Sequence, residues 1–202
     1  MRRLVSTLLL LLPCVLQAAT LVVAPTGLDS APCTTAQPCR TLTHAARQLR
    51  PGDTLLVRQG TYTEVLDRLL PSQTTVRAYP GERPTVRPTS RGVPVFRLDT
   101  THSITLEGLD VDLSACPSCG MTGGWEVQRL TLRHNTIRGL NVVASQPGSG
   151  GCAICSWDTQ DTGWLIEGNT ITDVTITGQY EKLIHSMYLC SVREPSIRIW
   201  TR

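Results

Sequence analysis

The sequence predicts an all-β chain wound as a parallel β-solenoid, and three observations carry that prediction. A strand-turn-strand segment recurs without gaps, apolar residues alternate inside each copy, and a short helical pattern precedes the first strands. Ser103-Ile-Thr-Leu-Glu-Gly-Leu-Asp-Val111 aligns to Arg129-Leu-Thr-Leu-Arg-His-Asn-Thr-Ile137 and to Gly163-Trp-Leu-Ile-Glu-Gly-Asn-Thr-Ile171, at offsets of 26 and 34 residues. A fourth copy starts at Ser196-Ile-Arg-Ile199, 33 residues after Gly163, and the sequence stops three residues later.

Within each copy, pairs such as Ile104 and Leu106 or Leu130 and Leu132 alternate with polar residues, the period of a strand with one buried face. The following Gly168-Asn169 and His134-Asn135 suit a tight turn, because Gly and Asn tolerate left-handed backbone angles. A unit of this size cannot bury its apolar face alone, so the coils must stack. Asn135 and Asn169 hold equivalent repeat positions, which reads as a ladder of stacked turn side chains.

The first coil needs a lid over its apolar end. Leu21-Val22-Val23 reads as a strand, and Thr41 to Leu49 as a helix with Leu42, Ala45, Ala46 and Leu49 on one face and His44 towards solvent. Pro51-Gly52-Asp53 ends that helix and leads into a strand from Thr54 to Arg58.

Ahead of the cap, Met1-Arg2-Arg3, an apolar run from Leu4 to Leu16 and small residues at Ala18 and Ala19 follow the order of a secretory signal, with cleavage after Ala18 or Ala19. The domain plan is a signal over residues 1–19 and one β-helix domain over 20–202, with a cap over about 20–52 and coils over about 53–202, the last one incomplete and uncapped. The apolar run is shorter than a membrane span, and no later segment is longer, so no transmembrane anchor is expected. Cys14 raises a lipoprotein alternative, with Pro13 standing where a small residue would precede a lipidated cysteine. The expected location is the periplasm, the cell surface or the medium.

The formal net charge is +3, and no Lys or Arg run with interleaved aromatics occurs, which argues against a nucleic-acid partner. Removing Cys14 leaves seven of eight cysteines. Spacing pairs Cys33 with Cys39, Cys116 with Cys119 and Cys152 with Cys155, leaving Cys190 single; other pairings, or zinc held by the two Cys-x-x-Cys pairs, are alternatives.

Pro38-Cys39-Arg40-Thr41-Leu42, Ala45-Ala46, Pro51-Gly52-Asp53-Thr54-Leu55-Leu56-Val57 and Gly60-Thr61-Tyr62-Thr63-Glu64 resemble the N-terminal cap and first coil of the pectate-lyase-like superfamily of right-handed parallel β-helix proteins. The Leu-x-x-Asn-x-Ile and Ile-x-x-Asn-x-Ile copies at 132–137 and 166–171 resemble that superfamily's coil repeat. Known members usually run through more coils, so the resemblance also raises a truncated remnant of a longer β-helix as an alternative.

The resemblance implies a polysaccharide ligand, with uronate elimination as the leading reaction and a non-catalytic carbohydrate-binding or adhesin-like scaffold as the alternative. A lyase of this kind needs a cation, typically Ca²⁺, and a base. Lys182, His185, Tyr188 and Arg193 form the densest group of candidates, although His185 and Tyr188, three apart, face opposite sides of an unbroken strand. Hydrolysis needs two carboxyl groups, and Asp110 and Asp112 share a strand face at roughly 7 Å. The Asn-Thr-Asp triplet and Asp-Asp pair of polygalacturonase-like enzymes and the Asp-Pro-His-Asp signature of mannuronan epimerases are absent. Trp125, Trp157 and Trp164 form a sugar-stacking platform if they reach the surface; Trp157 is the better placed, while Trp164 replaces the inward Ile104 and Leu130.

Overall fold

A computed structural model of the chain describes residues 17–89, 93–116, 120–144, 151–156, 160–178, 184–189 and 198–200. Their strands sort into parallel sheets that stack coil upon coil as a β-helix. Sheet I joins Thr20–Val23, Thr54–Val57, Thr75–Ala78, Thr105–Glu107, Thr131–Arg133, Leu165–Glu167 and Arg198–Trp200, in that order. Sheet II joins Thr61–Thr63, Thr85–Arg87, Asp110–Asp112, Thr136–Arg138 and Thr170–Thr172. Sheet III joins Leu66–Asp67, Phe96–Arg97, Thr122–Gly123, Gly151–Ser156 and Ile184–Leu189.

Period-two alternation becomes three inward rows. Leu55, Val76, Leu106 and Leu132 stack in register under sheet I, and Tyr62, Val86, Val111 and Ile137 under sheet II. Leu66, Phe96, Thr122 and Ile154 do the same under sheet III, and all twelve are buried. Each such aliphatic side chain contributes about 1.5–3 kcal/mol relative to exposure. Trp164 joins this core as its repeat position required, 1% exposed, with its indole N–H donating to the Val127 carbonyl at 2.9 Å.

The turn between sheets I and II divides labour differently from the expectation that both residues of each pair use left-handed angles. Gly108, His134 and Gly168 hold positive φ, at 72°, 54° and 62°, while Asn135 and Asn169 do not. A Cβ on Gly168 would lie 2.5 Å from the His134 ring, so this turn also needs glycine for space. The asparagines form the expected ladder. Asn135, 1% exposed, accepts the Leu109 N–H at 3.0 Å and donates to Leu106 O and to Asn169 Oδ1, both at 2.9 Å. Asn169 accepts the Asn135 backbone N–H at 2.9 Å and donates to Leu132 O at 2.8 Å.

Coil length varies without disturbing register. Arg138 to Ile154 takes 16 residues where the paired stretch from Asp112 to Thr122 takes 10. The longer stretch includes the strand Asn141–Ala144, which pairs in parallel with Thr175–Gly178 outside the three main sheets.

The cap helix runs over Leu42–Ala46, shorter than the Thr41 to Leu49 expectation. It ends early because the Gln48 N–H turns back to Ala45 O, an i−3 bond that tightens the last turn. Thr41 caps it, accepting the His44 N–H, and Leu42, Ala45 and Ala46 are buried. His44 is half-buried rather than solvent-facing, with a ring nitrogen within 4.8 Å of the Cys33 and Cys39 sulfurs. Those two cysteines form a disulfide, as their spacing predicts.

Candidate functional site

The outer face of sheet II carries two rows that run along the stack. Thr61, Thr85, Asp110, Thr136 and Thr170 form one; Thr63, Arg87, Asp112, Arg138 and Thr172 form the other. Asp112 sits between two arginines one coil away on either side. Its Oδ2 accepts from Arg87 Nη2 at 3.0 Å and Nε at 3.1 Å and from Arg138 Nη2 at 3.4 Å. Its Oδ1 accepts the Ser114 hydroxyl at 2.6 Å and the Ser114 N–H at 3.1 Å. Burial alone would raise the Asp112 pKa, but the Ser114 hydrogen bonds and the two guanidinium charges outweigh it and hold the carboxyl below its ordinary range.

Asp110 lies on the same strand, across Val111, and its carboxylate meets Arg83 at 3.4 Å. The strand therefore brings Asp110 and Asp112 together as their spacing requires, each already holding an arginine. A general acid needs a proton near neutral pH and a general base needs a free lone pair. Asp112 is ionised with both oxygens engaged, which is the chemistry of a structural or ligand-orienting carboxylate.

A second cluster lies at the edge of sheet III. Asp99 accepts from Arg68 Nε and from Arg97 Nε, the latter at 3.1 Å, and Arg97 also faces Asp67 at 3.8 Å. The other Asp99 oxygen accepts the Trp125 N–H at 3.3 Å, and the Thr100 N–H donates to Trp125 O at 2.8 Å. These bonds hold the turn after Thr122–Gly123, with Trp125 51% exposed and the Arg68 side chain on the same carboxylate 56% exposed. An exposed indole whose own backbone is tied to a carboxylate that also gathers two guanidinium groups is a surface on which a sugar ring can stack while its hydroxyls or carboxylate find partners. Trp125 was one of three tryptophans flagged by the sequence, without its partners. Asp99, Arg68 and Arg97 carry no motif and become visible only when the sheet register brings positions 67 and 97 together.

Of the other candidates, Lys182, Arg193, Trp157 and Cys119 lie outside the described residues. His185 and Tyr188 belong to the strand Ile184–Leu189, in register with Cys152 and Cys155 respectively. Cys152 and Cys155 form a disulfide with their Cα atoms 5.7 Å apart, where an extended strand would separate them by roughly 10 Å. The backbone therefore bends between Cys152 and Cys155, the residues opposite positions 185 and 188 in the parallel register. Cys116 is disulfide-bonded as well, and pairing of these sulfurs removes the thiolates a zinc reading needs.

Asp110, Asp112, Glu167 and the Asp67 and Asp99 pair around Arg97 each hold a guanidinium where a cation would sit. No helix among the described residues is long and apolar enough to cross a membrane.

No family model matches the chain. The uncharacterized protein YwoF of Bacillus subtilis (strain 168) is 30% identical over an alignment of 171 residues, covering 77% of this chain and 36% of YwoF. The chain thus spans about a third of that relative's length. Among solved structures, the GH136 lacto-N-biosidase from Eubacterium ramulus superposes with a TM-score of 0.49 at 14% identity, over 76% of this chain and 36% of that one. A rhamnogalacturonan lyase superposes with a TM-score of 0.43 at 13% identity, over 89% of this chain and 65% of that one.

Proposed function

We propose that this is an exported β-helix that binds a linear polysaccharide along its side, with uronate polymers as the preferred class. The observation that carries the reading is Trp125, exposed and anchored through its own backbone to the Asp99 carboxylate that also gathers Arg68 and Arg97. The aromatic face supplies stacking, and the exposed guanidinium of Arg68 supplies a donor for a sugar carboxylate. The threonine and arginine rows of sheet II, repeating at the strand spacing of about 4.8 Å, offer a polar track parallel to the stack axis.

Affinity electrophoresis through polygalacturonate, with a neutral glucan as control, tests this. Wild type should be retarded by the uronate polymer, and Trp125→Ala should bind roughly five-fold more weakly, about 1 kcal/mol, with an unchanged melting temperature. Equal mobility of both proteins in both gels would sink the reading.

A lyase is the second reading, favoured by the register that sets positions 185 and 188 opposite the bend between Cys152 and Cys155. In it Lys182 is the base, with His185, Tyr188 and Arg193 around the substrate carboxylate. Absorbance of the unsaturated product, present for wild type and abolished by Lys182→Ala in folded protein, is its test; no product from wild type leaves binding alone.

A further inference from the structure

We propose that the leader is cut between Ala18 and Ala19, and that the α-ammonium so created forms an ion pair with the buried Asp53 carboxylate. This rests on the signal reading of residues 1–19, which leaves two cuts open; the structure separates them. Asp53 is 5% exposed, and its Oδ1 accepts the Ala19 N–H at 2.7 Å while Oδ2 accepts the Arg50 N–H at 2.8 Å. Among the described residues no Lys, Arg or His side chain lies within 4.0 Å of that carboxylate. Two neutral amides are thus its donors, and a positive charge at the Ala19 nitrogen would meet an acceptor already in place.

Hydrolysis at Ala18–Ala19 supplies that charge. Water adds across the peptide bond, Ala18 leaves as the carboxylate end of the leader, and the Ala19 nitrogen takes up protons to become an ammonium at the Asp53 oxygen it already contacts. The cut one residue later would delete this donor, together with the Ala19 carbonyl that accepts the Thr54 N–H at 2.9 Å. Gln17 and Ala18 are exposed and precede the sheet I register, which begins at the Thr20–Thr54 pair, so the bond before Ala19 is accessible. They border an open cavity of about 330 Å³ in which Arg50 and Asp53 are the charged residues of the lining.

The sign of the pH dependence follows. A free α-amine has a pKa of about 8 in an unfolded chain, and a carboxylate partner raises it in the folded state. The added stability is therefore complete below about pH 8 and lost as pH rises through the raised value.

The full chain, expressed with its leader in a bacterial host and recovered after export, should give Ala19 as first residue by N-terminal sequencing and intact mass. Its melting temperature at about pH 6 should exceed that of the same chain with Ala19 Nα-acetylated by roughly 3–6 °C, and the gap should close above about pH 10. In Asp53→Asn the same acetylation should change nothing; if that variant fails to fold, the wild-type pair of measurements still decides. Any other first residue, or equal stability of the amine and acetyl forms at about pH 6, overturns the proposal.

Discussion

Around the N-terminal cap helix, Asp29 and Glu64 bind main-chain N–H groups; on the outer faces of the coils, acids such as Asp112 and Glu167 gather arginines. Asp29 accepts the Arg40 and Thr41 N–H groups, both at 2.9 Å, and Glu64 accepts those of Leu42 and Thr43 at 2.9 and 2.8 Å. Two coils later, Asp112 takes Arg87 and Arg138, and further along Glu167 takes Arg133 at 3.5 Å. The difference follows from the backbone. Inside the stack, parallel ladders satisfy the main chain strand by strand, so acids on the outer face are free to pair across coils. Where the stack ends, a short helix leaves its first N–H groups without partners, and carboxylates from neighbouring loops supply them.

Breaking the cap side of this contrast should have the larger effect. Glu64→Ala orphans two helix N–H groups at once and should cost about 2–4 kcal/mol in urea unfolding, with little change in 0.5 M salt. A loss below about 1 kcal/mol would mean the helix finds other acceptors and the contrast is false.

On the coil side, Asp112→Asn should cost only about 1 kcal/mol, because Arg87 and Arg138 are 45% and 41% exposed and their charges are partly screened. Its pH profile sharpens the comparison. The folded carboxyl is held below its ordinary range, so its contribution is present above about pH 4 and fades as pH falls through the lowered value. The stability gap between wild type and Asp112→Asn should shrink on acidification; a gap that grows would reverse the assigned electrostatics. Smallest of all, Glu167→Gln should change stability by less than about 0.5 kcal/mol, since both partners are well exposed at 42% and 37%.

The same division explains what was legible in the sequence. The inward rows were readable because alternation in Ile104 and Leu106 repeats at a fixed offset, and the buried place of Trp164 followed from alignment alone. The asparagine ladder was readable for the same reason. Its turn geometry was not: His134 pays the left-handed backbone cost, and nothing in a histidine advertises that. The hold of Glu64 on the cap helix and of Asp53 on Ala19 left no trace, because a side chain bound to main chain selects no partner residue type. Arg87, Asp112 and Arg138 align only once the Thr85–Arg87 strand is placed in sheet II, and that strand shares little with the visible copies. Trp125 and Asp99 came together through two turns, outside any repeat pattern.

The asparagine ladder also has a direction. Asn135 bonds back to Leu109 and Leu106 in the coil before it, and Asn169 bonds back to Asn135 and Leu132. Each rung is thus completed by the coil that follows, never by the one that precedes. In the folded chain the amide of Asn135, and then that of Asn169, therefore fastens its own coil to the one before it.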